Sequence, residues 1–382
     1  MENEKSLEKR IYASWLYAVP GIGNRTIDKL LDLCGDEKTV YQEGISAWKQ
    51  VLTARQLEQI KDFAGKWEPE MIYGGLLEKQ IRFVMREDEE YPLRLKHIPD
   101  PPYALYVKGR LPCNEEPSVA VVGARDCSEY GGFVAAAVGE ALGAGRVQVI
   151  SGMARGIDGI SQRAALQAGG SSFGVLGCGV DVCYPASNRE LYERLCEKGG
   201  VLSAYPPGTE ARPGNFPPRN RIVSGLSDIL IVVEARAKSG TLITVDMALE
   251  QGKDVYVVPG RITDRLSDGC NRLLKQGAEV LLSPKEFIEE VSKRWSLGPT
   301  GEMPGSPNNL LKWRCMGKED SLGPDYRAVY ELIGFDAVSI GQLQAKLSGQ
   351  YTVSKLMGIL MGLCTQGLVV QISPGHFMRK TD

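Results

Sequence analysis

The sequence predicts an α/β protein in which a doubly wound, mainly parallel sheet stands between a helical head and a small mixed tail. Three observations predict it. From residue 119 to about 294, short unbroken apolar runs alternate with amphipathic stretches of helical period, as strands do when crossover helices bury both their faces. Several of these runs end in Gly or Ser, where a strand would turn toward a helix. Before residue 65 the apolar residues recur at helical spacing, and after residue 322 three helical stretches give way to two short strands.

The head, residues 1–65, carries Ile11, Trp15, Leu16 and Val19, then Ile27, Leu30, Leu31 and Leu33. Between them Val19-Pro20-Gly21-Ile22-Gly23-Asn24 makes a tight turn, similar to the loop of a helix-hairpin-helix or SAM-like domain, whose backbone N–H groups bind DNA phosphates; a plain turn in a small helical domain is the alternative. Residues 66–294 form a Rossmann-like domain with a leading bridge. In the bridge Tyr91-Pro92 and Pro99-Asp100-Pro101-Pro102 break any helix, and Tyr103–Val107 reads as an edge strand. Strands are expected at Val119–Val122, Val147–Ile150, Ser172–Leu176, Val201–Ser203, Ile229–Val233, Asp254–Val258 and Glu279–Leu282. Helices are expected at Gly132–Leu142, Ile157–Ala168, Arg189–Glu197, Leu242–Glu250 and Asn271–Gln276. Residues 295–321, with Gly298-Pro299 and Pro304-Gly305-Ser306-Pro307, read as a linker. Residues 322–382 read as a winged-helix domain: helices at Tyr326–Ile333, Ile340–Leu347 and Thr352–Thr365, then a hairpin around Ser373-Pro374-Gly375.

Composition narrows the functional classes. The chain has 382 residues and a formal net charge of −2, so any basic surface must be local. Residues 1–10 are polar with no apolar run behind them, and no stretch of about 18 apolar residues occurs. A cytoplasmic protein without a membrane span is expected. The nine cysteines are scattered, none in Cys-x-x-Cys, which fits free thiols in a reducing compartment. With only His97 and His376, neither a structural zinc nor histidine acid–base chemistry is expected.

In an open α/β sheet, ligands sit beyond the carboxyl ends of the strands. Gly123-Ala124-Arg125 follows the first strand of the sheet domain, and Ser151-Gly152-Met153-Ala154-Arg155-Gly156-Ile157-Asp158 follows the second. Gly177-Cys178-Gly179 follows the third, and Glu234-Ala235-Arg236-Ala237-Lys238-Ser239-Gly240-Thr241 lies further on. Small residues, cations and helix N-termini thus gather at one edge, where an anion would sit. The first loop lacks Gly-x-Gly-x-x-Gly, no acid ends the second strand, and no Gly-x-x-x-x-Gly-Lys-Ser/Thr occurs. No dinucleotide or other cofactor is expected.

The segment Arg212-Pro213-Gly214-Asn215-Phe216-Pro217-Pro218-Arg219-Asn220-Arg221 is too rich in Pro to read as a regular element. Its arginines suit phosphates, which guanidinium forks pair bidentately, and Phe216 suits a stacked base. The alternative is a rigid loop with Phe216 packed inward and solvated arginines.

These motifs, in order from about residue 90 to 280, resemble the DNA-processing protein A (DprA/Smf) family. The resemblance rests on Tyr91-Pro92, Asp100-Pro101-Pro102, Val119–Arg125, Ser151–Asp158, Phe216–Arg221, Ser239–Thr244 and Val258-Pro259-Gly260. It implies binding of single-stranded DNA without strong sequence preference, loading of the RecA recombinase during natural transformation, a homodimer formed through the sheet domain, and no established catalysis. The DNA-binding positions it implies are Arg125, Ser151, Gly152, Arg155, Phe216, Arg219, Asn220, Arg221, Ser239 and Gly240. Met153, Ala154 and Thr241 lie in the same loops, and local charge adds Arg212 and Lys238.

Two positions depart from the family pattern. Ser161-Gln162 stands where Ala-His is frequent, and Ser203-Ala204 where Ser-Glu is frequent. The rival reading is a nucleotide-processing enzyme of the phosphoribohydrolase type. Thr244 occupies the place of the catalytic Glu of such enzymes; Asp158 and Glu234 remain, with the simpler roles of a cap or a partner for Arg219 or Arg221. The tail, with five Lys/Arg against four Asp/Glu, is too nearly neutral to grip a duplex strongly.

Overall fold

The computed structural model describes residues 2–295, 297, 322–334, 336–347 and 350–379. The linker expected at 295–321 lies, except for Trp295 and Leu297, outside the described residues.

Six helices make the head: α1 (Glu2–Ala18), α2 (Asn24–Cys34), α3 (Glu37–Glu43), α4 (Ile45–Val51), α5 (Ala54–Ala64) and α6 (Pro69–Glu78). They close around Trp15, which is fully buried against Tyr41, Trp48 and Phe63 and donates its indole N–H to Trp67 O at 2.7 Å. The helical layer runs past residue 65, where the sequence reading ended it. Pro69 opens α6, a position whose N–H would have no partner in any case.

The sheet domain continues as β1 (Arg82–Met85), α7 (Leu93–Lys96), β2 (Ala104–Gly109), β3 (Ser118–Val122), α8 (Glu129–Ala144), β4 (Gln148–Ser151) and α9 (Ile157–Gln167). Then come β5 (Ser172–Leu176), α10 (Arg189–Lys198), β6 (Gly200–Ser203), α11 (Phe216–Gly225), β7 (Ile229–Val232), α12 (Gly240–Glu250), β8 (Asp254–Val257), α13 (Asp268–Lys275), β9 (Glu279–Val280) and α14 (Pro284–Arg294). The strand order is β1-β2-β6-β5-β4-β3-β7-β8-β9. From β6 to β9 all pairs are parallel; β1 and β2 are antiparallel additions. This is the doubly wound, Rossmann-like α/β architecture expected. The alternation in β3 shows how it closes: Val119 and Val121 face one helix layer with Val138 and Leu142 of α8, while Ala120 faces the other with Ile222 of α11 and Val245 of α12.

Two readings are corrected. The segment at Tyr103–Val107 is not an edge strand. Strand β1 pairs on its outer side, with Phe83 opposite Tyr106, and β6 on its inner side. Four residues between the left-handed Gln80 (φ 54°) and the following turn are too few to show a period of their own. Nor is the Pro-rich segment irregular. Pro213–Asn215 form a 3₁₀ turn and Phe216 starts α11, with the prolines confined to the first turn, where no helical carbonyl waits for their missing N–H groups.

The tail contains α15 (Pro324–Tyr330), β10 (Val338–Ser339), α16 (Ile340–Lys346), α17 (Val353–Thr365), β11 (Val369–Ser373) and β12 (His376–Arg379). Its three strands order as β10-β12-β11 over a core of Leu343, Leu356, Leu360, Leu363 and Phe377. Among the described residues no helix is long and apolar enough to cross a membrane, and the eight described cysteines are free thiols.

Candidate nucleic-acid interface

The chain leaves β3 toward β4 on one side of the sheet and later enters β7 on the other side. The strand order therefore reverses between β3 and β7, and a crevice opens beyond their carboxyl ends. The loop after β3 is pinned from below. Glu234, at the end of β7, is 1% exposed and accepts both the Ser128 N–H at 3.0 Å and the Ser128 hydroxyl. Ser128 in turn caps α8 by accepting Gly131 N–H at 3.0 Å. Burial pushes the Glu234 carboxyl up, and the Ser128 donors oppose the shift. Glu234 thus pairs with neither Arg219 nor Arg221, the partners the sequence suggested. The loop it holds presents Arg125 to solvent.

The loop after β4 is stitched residue by residue. Ser151 Oγ donates to Val121 O at 2.6 Å, and Gly152 N donates to Asp158 Oδ2 at 3.1 Å. Met153 is left-handed (φ 54°), a conformation that costs a non-glycine residue about 1–3 kcal/mol and persists only when its surroundings hold it. Here Gln162 Oε1 accepts Met153 N–H at 3.1 Å, and Asn188 Nδ2 donates to Met153 O and Ala154 O at 3.0 and 3.1 Å. Gln162 Nε2 donates to Ser172 Oγ and Phe173 O, so this departure from the family pattern is a fully satisfied buried amide. Arg155, beyond the stitched part, is 61% exposed and lies 3.5 Å from Asp126.

Arg219 is 5% exposed, beneath the site rather than on it. Its Nη1 donates to Gly152 O at 2.7 Å and Val175 O at 2.5 Å, and its Nε to Asn220 Oδ1 at 3.1 Å. Asp158 is also buried; burial pushes its carboxyl up, and Arg219 and the Gly152 N–H oppose the shift. Gly152 lets this packing close up: a Cβ there would lie 2.6 Å from the Arg219 guanidinium, which would have to shift from Gly152 O and Val175 O.

The ring of Phe216 stands at the centre. The guanidinium carbons of Arg125 and Arg219 lie 5.1 and 5.7 Å from its centroid, and the Tyr184 ring lies 5.8 Å away at 30°. Two cavities flank it, of about 320 and 510 Å³, sharing Arg125, Ala154, Tyr184, Phe216 and Arg219. The smaller adds Gly152, Arg155, Gly177 and Ser187. The larger adds Gly123, Asp158, Asn220 and the N-terminus of α12 at Ser239, Gly240 and Thr241. Ser239 caps α12 by accepting Thr241 N–H at 3.2 Å, and Thr241 Oγ1 donates to Gly123 O at 3.2 Å, which ties α12 to the loop after β3.

Most of the sequence-predicted residues therefore converge. Arg125, Gly152, Ala154, Arg155, Phe216, Arg219, Asn220, Ser239, Gly240 and Thr241 border the two cavities, with Ser151 and Met153 buried behind them. Arg212 and Lys238 are exposed but line neither cavity; Arg212 lies 3.3 Å from Glu210 Oε2. Arg221 is not brought to this edge. It projects from another side of α11, donates to Pro99 O and Asp100 O, and lies 3.7 Å from Asp100 Oδ2. Sequence reasoning missed Tyr184, 44% exposed beside Phe216, because it follows the Gly177–Gly179 turn without any charge to mark it. It also missed Asn188, whose amide holds the loop after β4. Among the described residues no group of three or more His, Cys, Asp or Glu could hold a metal ion.

Comparison with known proteins bears on this arrangement. The model of the DNA recombination-mediator protein A family matches residues 82–292. The DNA processing protein DprA of Streptococcus pneumoniae is 42% identical over 203 residues, 53% of this chain and 72% of that protein. The DprA of Bacillus subtilis is 36% identical over 258 residues, 65% of this chain and 87% of that protein. Among solved structures, that of S. pneumoniae DprA superposes with a TM-score of 0.58 at 36% identity, covering 73% of this chain and 97% of the other. A structure of DNA processing protein A from Helicobacter pylori, described for its single-stranded DNA binding mode, has a TM-score of 0.51 at 29% identity, covering 56% of this chain and 97% of the other. From its sheet and its order of motifs to its relatives, the chain belongs to the DNA recombination-mediator protein A family.

Proposed function

We propose that this protein binds single-stranded DNA along the β3–β4–β7 edge and delivers the RecA recombinase to it during DNA uptake, acting in the cytoplasm as a homodimer and catalysing no reaction. The observation that carries this reading is the half-buried Phe216 ring, which lines both cavities with the exposed Arg125 guanidinium 5.1 Å from its centroid and Tyr184 beside it. A ring at a cavity wall beside an exposed cation gives a base a surface to stack on and its flanking phosphate a counter-charge, independently of sequence. The N-terminus of α12, at Ser239, Gly240 and Thr241, adds the positive end of its helix dipole at the same edge. Against the enzyme reading, both candidate acids are occupied: Asp158 by Gly152 N–H and Glu234 by Ser128. Residues 322–382 act as a separate winged-helix domain in this reading, joined by the 295–321 linker, with little part in gripping the strand.

The test is binding of a fluorescent oligonucleotide of roughly 20 nucleotides, against its duplex. Phe216→Ala should cost about 1–3 kcal/mol. Arg125→Ala and Arg155→Ala should each weaken binding alike for all sequences and lower the salt dependence by about one neutralised phosphate. A folded protein that ignores the single strand overturns the reading. RecA loading is read separately, as RecA-catalysed ATP hydrolysis on a strand already coated with single-strand-binding protein.

A further inference from the structure

A third cavity, of about 930 Å³, opens between the helical head and the sheet. On the head side it is walled by the Val19–Asn24 turn and Trp67. On the sheet side it is walled by Tyr106 of β2, the Ala204–Thr209 loop after β6, and α11. The turn that resembled a DNA-binding hairpin loop thus faces this cleft. Arg219 borders all three cavities, so the first turn of α11 is the ridge between the cleft and the edge described above.

The cleft is built like a site. Its volume is that of small-ligand pockets, which are largely apolar with a few placed polar groups. Tyr106 is fully buried, with its ring 5.9 Å from that of Tyr17 at 23°, yet its hydroxyl has no hydrogen-bond partner. A buried phenol ordinarily finds one. Trp67 is 44% exposed at the opening, and Lys79 stands there, paired with Asp181 at 2.8 Å. An aliphatic ligand would leave the Tyr106 hydroxyl unmet, and a small ion would gain nothing from the aromatic walls. A flat heteroaromatic ring with polar edges satisfies both.

We propose that this cleft takes a nucleobase. The base comes from a free nucleotide or from a bound strand that crosses the α11 ridge, and the second source rests on the DNA reading above. The experiment irradiates the full chain with 5-iododeoxyuridine, supplied either as the free 5′-monophosphate or within an oligothymidylate of about 20 nucleotides, and maps adducts by mass spectrometry. Adducts at Tyr17, Trp67 or Tyr205 are expected. Their appearance with the monophosphate assigns a free nucleotide, and with the oligonucleotide a base of the strand. Oligonucleotide adducts at Phe216 or Tyr184, with none in the cleft from either probe, overturn this inference and leave the DNA reading standing. No adducts from either probe overturn both. Tyr106→Phe should lower cleft adducts about tenfold, the worth of one hydrogen bond. It should leave Phe216 adducts intact and the melting temperature equal or higher. Unchanged cleft adducts in that variant would overturn the role of the hydroxyl.

Discussion

A guanidinium taken out of water must find acceptors, and the two arginines of Phe216–Arg221 find them in opposite directions. Arg219 spends its donors on Gly152 O and Val175 O beneath the site, and Arg221 spends its own on the bridge at Pro99 and Asp100. The sequence marked both as phosphate forks, because residue type and local charge say nothing of which side of a helix turns inward. Arg219→Ala should therefore act first on stability, by about 3–5 kcal/mol, because it strands the buried Asp158 and two carbonyls; urea unfolding reads this directly. Arg125→Ala, at an exposed position, should leave the unfolding midpoint almost unmoved. Glu234 gives a pH signature. Its carboxyl is raised above 4.5, so the folded chain holds a proton that the unfolded chain releases first. Its contribution is then whole at low pH and declines as pH rises from 4.5 through the folded value. Glu234→Gln removes that decline, and the difference in melting temperature between variant and parent should change across this window and level off above it.

At the scale of elements, period and punctuation carried most of the information. The parallel strands from β3 to β8 fall where apolar runs stand in the sequence, and α9 begins at the residue expected. What stayed hidden has two physical sources. Strand β1 is too short to show a period, and α11 begins with prolines, which break helices everywhere except in the first turn. The helices also use glycine in two distinct ways. On α8, a Cβ at Gly143 would lie 2.5 Å from Ala165 O of α9, so that glycine sets how closely the two helices approach. On α6, a Cβ at Gly74 would meet nothing within 4 Å. Gly143→Ala should thus destabilise by about 1–3 kcal/mol, while Gly74→Ala should stabilise by about 0.5–1 kcal/mol. Thermal unfolding of the two variants checks the contrast.

Across the whole molecule, a net charge of −2 conceals an uneven surface. Arg125, Arg155, Arg212, Arg236 and Lys238 are all exposed, Arg125 and Arg155 at the cavities themselves, with Asp126 paired to Arg155 and Glu210 to Arg212. Position rather than total charge makes the edge attractive to a polyanion. The tail has no such excess, and a chain ending at Arg294 should retain single-strand affinity within about twofold, since no phosphate contact is lost with it; side-by-side titrations of both lengths decide the matter, and loss of most of the affinity would assign the grip to the tail. The sheet and the converging loops were legible in the sequence. The buried amides of Gln162 and Asn188 were not, since only the packed core shows which backbone groups they serve. Their role has a kinetic consequence. The loop from Ser151 to Ala154 is tied at every residue before any ligand arrives, so capture requires no ordering of that backbone. On the proposed single-strand reading, encounter, steered by exposed arginines and damped by salt, then limits how fast a strand is taken up.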